Sequence, residues 1–387
     1  MRRHRGRTGL LACPSQDPKR NTPGALSYAL SLLLLASTAA AQAPLVVVAA
    51  ARTGQIQIFE AATLTPLGDF RVNQPVESVS ASPDGRRLYI AQEEPAKPGD
   101  CCGLFSLDLE TRNMCFLAAP ALFGSPSPDG RFLFTQSGQG IDMFDARTLN
   151  RLPTMKAPGA YNLQPSPDGR WLLGITNSPQ PSLDVFDMAA SAMVRRLLIP
   201  AKPVTGAWVG DRFYLFSYGA GSSPGTGWLW SVRPEDTELV AARRVDLPDL
   251  HAGCNEPVLL MLAGARDRLF LAEAFGFKVD RRGACPNTPM GGIYAIQPST
   301  GQVSRIAESV EVNRMVVTPD GRDLYVLEPG NPKSHSRTVR LLHIDALGNR
   351  ERIGVPLPAG DWNLALAHIP AALIPSGRLR SYSNCSR

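Results

Sequence analysis

The sequence predicts an all-β fold: a seven-bladed β-propeller of four-stranded antiparallel blades, with the last blade closed by both chain termini. Three observations lead there. The tetrapeptide Pro-Asp-Gly-Arg stands at 83–86, 128–131, 167–170 and 319–322, each time after Ser or Thr. A short apolar run follows every copy, and a second alternating segment follows that. No helix-length stretch with a 3.6-residue apolar period occurs beyond the N-terminal region, which argues against a parallel α/β fold.

The turn chemistry explains the first signal. Pro pre-sets φ for a tight turn, Asp suits the position after it, and Gly supplies the conformation that closes it. The runs behind the turns are Leu88-Tyr-Ile-Ala91, Phe132-Leu-Phe-Thr135, Trp171-Leu-Leu-Gly174 and Leu324-Tyr-Val-Leu327. Two degenerate copies, beginning at Gly210 and Ala265, fill the interval between 170 and 319. The later alternating segments include Gly103-Leu-Phe-Ser-Leu-Asp-Leu109, Gly140-Ile-Asp-Met-Phe-Asp145 and Ser182-Leu-Asp-Val-Phe-Asp187. A polar turn such as Pro298-Ser-Thr-Gly301 follows, then a more polar fourth strand. Units of roughly 40–55 residues with this content have the size of propeller blades.

Six units are expected to start near 76, 120, 159, 203, 256 and 312. The remainder makes a seventh: 361–370 supplies a first strand and 44–72 supplies the second to fourth. Sharing a blade between the termini leaves neither end with a free sheet edge. The propeller is therefore expected over 42–370, with 371–387 as a C-terminal tail.

Residues 1–41 read as a secretory signal. Arg2, Arg3, Arg5, Arg7, Lys19 and Arg20 precede an apolar run at 25–36, and Ala39-Ala40-Ala41 offers a small-residue cleavage site. An uncleaved anchor is the alternative, but the run is shorter than the roughly 20 residues of a membrane span. Cleavage leaves no stable membrane span. It also settles the charge. The full chain of 387 residues carries +6, but the signal holds six basic residues and one acidic residue, so the mature chain carries +1. No basic patch remains to argue for nucleic acid. The expected location is periplasmic or extracellular.

Cysteine usage agrees with export. Six cysteines remain after cleavage, at 101, 102, 115, 254, 285 and 385. An even number in an exported chain favours disulfides, and Cys254 with Cys285 is the best pair because a bridge there would pin a long insertion.

The Ser/Thr-Pro-Asp-Gly-Arg turn followed by Leu-Tyr-Val or Leu-Tyr-Ile resembles the YVTN-type repeats of seven-bladed propellers. That superfamily includes quinoprotein amine dehydrogenase heavy chains and lactonase-like propellers. The resemblance spans about 45–370. It implies that the Pro-Asp-Gly-Arg turns lie on one face and that function collects on the other, where 93–102, 218–227, 273–291 and 328–337 form long loops. Register with the turns places Glu77, Tyr161 and Asn313 beside the central channel, with Asn162, Glu256, Arg314 and Trp362 nearby. His251 opens the cluster His251-Ala-Gly-Cys254-Asn-Glu256, which lacks the further ligands a metal site would need. No Gly-x-Ser-x-Gly elbow, phosphate loop, His-Glu-x-x-His or haem-attachment motif occurs. The expected function is an exported, non-catalytic binding scaffold for a protein or small polar ligand, with no metal or cofactor of its own. The resemblance also implies two alternatives: the heavy subunit of an amine dehydrogenase, whose quinone cofactor would reside on a separate light chain, and a lactonase-like hydrolase.

Overall fold

The computed structural model describes residues 45–374, apart from 73–74, 93–102, 119–120, 122, 138–139, 158–159, 177–179, 201–202, 218–225, 248–258, 275–291, 308–311, 329–337, 348–349 and 359–361. The described residues form seven separate antiparallel sheets, and the one helical element is the three-residue turn Ala371–Leu373. The fold is a seven-bladed β-propeller. Blade 1 runs Val76–Ala81, Arg87–Gln92, Leu104–Asp108 and Met114–Ala118. Blade 3 begins with Ala160–Pro165, blade 4 with Pro203–Val209, blade 5 with Leu259–Ala265 and blade 6 with Arg314–Val317. The closing blade joins the two ends of the propeller: Trp362–His368 pairs with Leu45–Ala51, which pairs with Gln55–Glu60 and then Pro66–Arg71.

Blade 2 departs from the expected four strands. Its sheet has three, Ser125–Pro126, Phe132–Ser137 and Gly140–Asp145. The outermost segment is joined by isolated bridges from Met155 to Ile141 and from Arg151 to Phe144, with a further bond from the Leu152 N–H to the Met143 carbonyl, rather than by a continuous ladder. Pro153 stands between them, and a residue without an N–H breaks a ladder.

The first strands of neighbouring blades touch one another all the way round, so they form the inner ring. The second and third strands are covered on both faces. Leu88 and Ile90 pack toward the closing blade, while Tyr89 and Ala91, one residue out of phase, pack toward blade 2. This is why those strands are nearly continuous apolar runs: the period-two alternation points to two buried faces. Seven apolar clusters result, one between each pair of adjacent blades. Fourth strands lie outermost and are polar or exposed, as in Ala192–Leu198.

The repeated turn is held by the residue before it. The Ser82 hydroxyl donates to Asp84 at 2.6 Å, and the Arg87 N–H donates back to Ser82 Oγ at 2.9 Å. Asp84 accepts the Arg86 N–H at 3.0 Å. Ser127 with Asp129, Ser166 with Asp168, and Thr318 with Asp320 repeat the pattern. A second recurring turn closes the third and fourth strands. The residues four after Glu60, Asp108, Asp145 and Asp187 are Leu64, Arg112, Leu149 and Ser191, and all four have positive φ. Asp108 and Asp145 each accept two backbone N–H groups and a Thr hydroxyl there.

Gly85 lies at φ +67°, and a Cβ there would run into the His368 carbonyl of the closing blade. Gly210 has φ +59° with nothing within 4 Å. Gly210→Ala should therefore cost about 1 kcal/mol, the left-handed penalty alone, whereas Gly85→Ala should cost about 3 kcal/mol or more, because backbone must move as well. Urea unfolding measures both, and equal losses would refute the close approach. The turns also carry a pH dependence. The Thr318 hydroxyl and the Arg322 N–H hold the Asp320 carboxyl below its ordinary range, against opposing desolvation. A depressed folded value contributes stability above the unfolded value of about 4, which is lost as pH falls through the folded one. Thr318→Val should thus destabilise more at pH 7 than at pH 3, and an equal loss at both would show that the hydroxyl–carboxylate bond is not the source.

Candidate functional site

The inner strands lose their regular register at the end away from the Pro-Asp-Gly-Arg turns. In blade 1 the pairing shifts between Val76 and Ser78, at Glu77. In blade 3 it shifts between Tyr161 and Gln164, across Asn162. In blade 4 it shifts between Pro203 and Thr205. A bulge adds a residue that the partner strand cannot pair, which bends the strand and re-aims side chains. Asn162 marks the bend in blade 3 with φ 49°, a conformation that Asn tolerates better than other non-glycine residues.

Four of the expected site residues thus share one end of the ring. Glu77 and Asn162 are half-buried at register shifts. Asn313 immediately precedes the first strand of blade 6 and Arg314 opens it; Arg314 Nη1 donates to the Asn313 carbonyl at 2.9 Å and to its side-chain oxygen at 3.1 Å. Trp362 is placed differently. It starts the inner strand of the closing blade, but its side chain is 1% exposed and packs among Tyr325, Leu327 and Leu341 between blades. Its indole N–H donates to the Pro358 carbonyl at 3.0 Å. It supports the mouth without facing it. Tyr161 pairs with Ile175, and its side chain lies outside the described set. His251, Glu256, Cys254 and Cys285 lie outside the described residues, and Cys115 is the only cysteine within them. His343 is a core residue: it is 2% exposed, with Nε2 2.8 Å from Asp323 Oδ1 and its ring stacked on Tyr325. Among the described residues no group of three or more His, Cys, Asp and Glu could hold a metal ion.

Below the mouth, residues the sequence did not single out complete the wall. Three positions before each turn proline stand Ser80, Ser125, Gln164 and, on the far side, Val316. The Ser80 hydroxyl donates to the Gly124 carbonyl at 2.6 Å, and the Ser125 hydroxyl to the Leu163 carbonyl at 3.1 Å. Trp208 Nε1 donates to the Gln164 carbonyl at 3.2 Å. These bonds run from blade to blade and tie each inner strand to the next. Carrying the turn-based register three residues further would have found these positions.

Asn162→Gly should change stability by only a few tenths of a kcal/mol, while Asn162→Val should cost about 1–2 kcal/mol because a β-branched residue resists positive φ. Thermal unfolding of both variants checks this, and equal melting temperatures would mean that the bulge relaxes.

No family model matches the chain. Over 139 residues, 35% of its length, the chain is 25% identical to centriole proteome protein 16 of Chlamydomonas reinhardtii. That match spans 6% of the Chlamydomonas protein. Among solved structures, hydrazine synthase of Kuenenia stuttgartiensis is similar with a TM-score of 0.52 and 16% identity, over 70% of this chain and 78% of that one. A putative 6-phosphogluconolactonase of Bacteroides fragilis NCTC 9343 is similar with a TM-score of 0.54 and 13% identity, over 84% of this chain and 98% of that one. At these identities the likeness is one of fold, a propeller that serves proteins of different roles.

Proposed function

We propose that this chain is an exported, non-catalytic propeller whose loop-rich face binds a protein partner or a small polar ligand. One observation carries the reading: Glu77, Asn162, Asn313 and Arg314 gather at one end of the inner ring, two of them at breaks in strand register. That end is also where the segments 93–102, 218–225, 275–291 and 329–337 join second strands to third. Long connections on a rigid frame, around a mouth of carboxylate, amide and guanidinium groups, suit recognition. The N-terminal pattern of basic residues, apolar run and Ala39-Ala40-Ala41 supports export. No helix among the described residues is long and apolar enough to cross a membrane.

The test is expression of the full chain in its source cells, recovery of the processed protein from the periplasm or medium, and native mass spectrometry of what accompanies it. A stoichiometric protein or small molecule should co-purify and be lost with Glu77→Ala/Arg314→Ala, while the double variant still folds. Retention inside the cell with residues 1–41 intact would overturn the export reading. Recovery of the bare protein would overturn the binding reading, as would a companion indifferent to both substitutions.

A further inference from the structure

The outer strand of blade 1 is unlike its counterparts. Asp108, Asp187, Gln297 and Glu60 open the turn between third and fourth strands in blades 1, 3, 5 and the closing blade. Three residues before them stand Phe105, Asp184, Tyr294 and Gln57, and the outer-strand residues opposite these are Phe116, Arg196, Arg305 and Asp69. A charged side chain at a sheet edge discourages other chains from settling there. Blade 1 has none: its outer strand reads Met114-Cys-Phe-Leu-Ala118, and Phe116 is 48% exposed. The inner side of that ring meets Phe105 edge-on, with 5.4 Å between centroids.

Register shows which way Phe116 faces. It stands opposite Phe105, and Met114 stands opposite Leu107. Opposed side chains share one face of a sheet, as do residues two apart. Leu107 belongs to the cluster between blade 1 and the closing blade, so Phe116 faces the closing blade. Met114 from the outer strand of blade 1 and Leu67 from that of the closing blade pack half-buried on the same cluster. With Phe116 they make an apolar groove between two outer strands. Leu373 and Ile374, the last described residues, pack on that cluster too. The chain is thus delivered to the groove.

We propose that residues 375–387 continue along this groove and that Leu379 covers Phe116. Leu379 and Tyr382 are the large apolar side chains of that segment. Leu379 follows Ile374 by five residues, about 17 Å of extended chain, and Met114–Ala118 is itself five residues long, so the reach suffices. Covering the ring removes apolar surface from water, which is stabilising. A second copy of the chain or a separate protein would find the same groove apolar, but each would compete with a segment tethered beside it at high effective concentration. This contact lies on the rim and is independent of what the mouth binds.

The experiment is tryptic release of this segment from the purified protein, read by mass spectrometry, because Arg378 and Arg380 flank Leu379. A synthetic peptide of 375–387 sets the rate for uncovered chain. In the protein both bonds should be cut about tenfold or more slowly than in the peptide, since cleavage follows the fraction of time the segment is released. Phe116→Ser should bring the rate to within about twofold of the peptide, whereas Phe116→Leu should keep most of the protection. Circular dichroism melting confirms that both variants are folded. In a second measurement, Phe116→p-benzoylphenylalanine should photocrosslink within one chain to a peptide from 375–387. Peptide-like cleavage of the unaltered protein, protection undiminished by Phe116→Ser, or a crosslink that joins two copies or captures another protein would overturn the proposal.

Discussion

Every blade of this protein depends on having a neighbour on each side. A four-stranded sheet whose middle strands are apolar on both faces cannot stand in water alone, and only closure of the ring covers all fourteen faces. Leu88 and Ile90 are buried because the closing blade exists; Tyr89 and Ala91 are buried because blade 2 does. The join between Trp362–His368 and Leu45–Ala51 is therefore a condition for the other six blades, since without it two faces and two inner edges would be exposed. The tight approach of Gly85 to the His368 carbonyl lies at that same join, where an extra methyl would push the first and last sheets apart.

Closure also accounts for the division of labour around the ring. The turns carrying the repeated motif are built from local hydrogen bonds, Ser or Thr to Asp and back to the chain, and they look alike in blades 1, 2, 3 and 6. Uniformity at that end holds the blades in register. At the opposite end the inner strands bulge in blades 1, 3 and 4, while those of blades 5 and 6 keep regular register. Irregularity is affordable there because the strand below the bulge is already pinned by its turn and by packing on both sides. A rigid frame with one variable end is the arrangement on which recognition is readily built.

Much of the fold was legible in the sequence. The four Pro-Asp-Gly-Arg turns, the apolar runs behind them and the incomplete units at both ends were enough to count the blades. Less legible was the second turn. Its positive-φ position is a glycine in blade 5, Gly301, where the sequence shows it, but is filled by Leu64, Arg112, Leu149 and Ser191 in four other blades; there the acidic residue four positions earlier was the available signal. The buried carboxylates Asp142 and Asp184 were also hidden. Each sits in a third strand and is held by an arginine from the outermost segment, Arg151 at 2.7 Å and Arg196 at 2.7 Å. The irregular outer segment of blade 2 follows from one proline, which is visible in the chain but meaningful only once its place at the sheet edge is known.

By itself the sequence determined periodic and local features: where the turns fall, which strands are apolar on both faces, how many units there are, and that the basic charge belongs to the first 41 residues. These are set by interactions within a few residues, or by a repeat that reports its own period. The tertiary structure alone decided which way the mouth residues turn. Glu77, Asn162 and Trp362 occupy comparable places at the ends of inner strands, yet two lie at register shifts beside the channel while the indole is sealed between blades. It alone also revealed the Asn162–Gln164 amide pair. The physical reason is that those arrangements depend on bulges and on the packing of adjacent blades, which bring together residues that spacing along the chain does not relate.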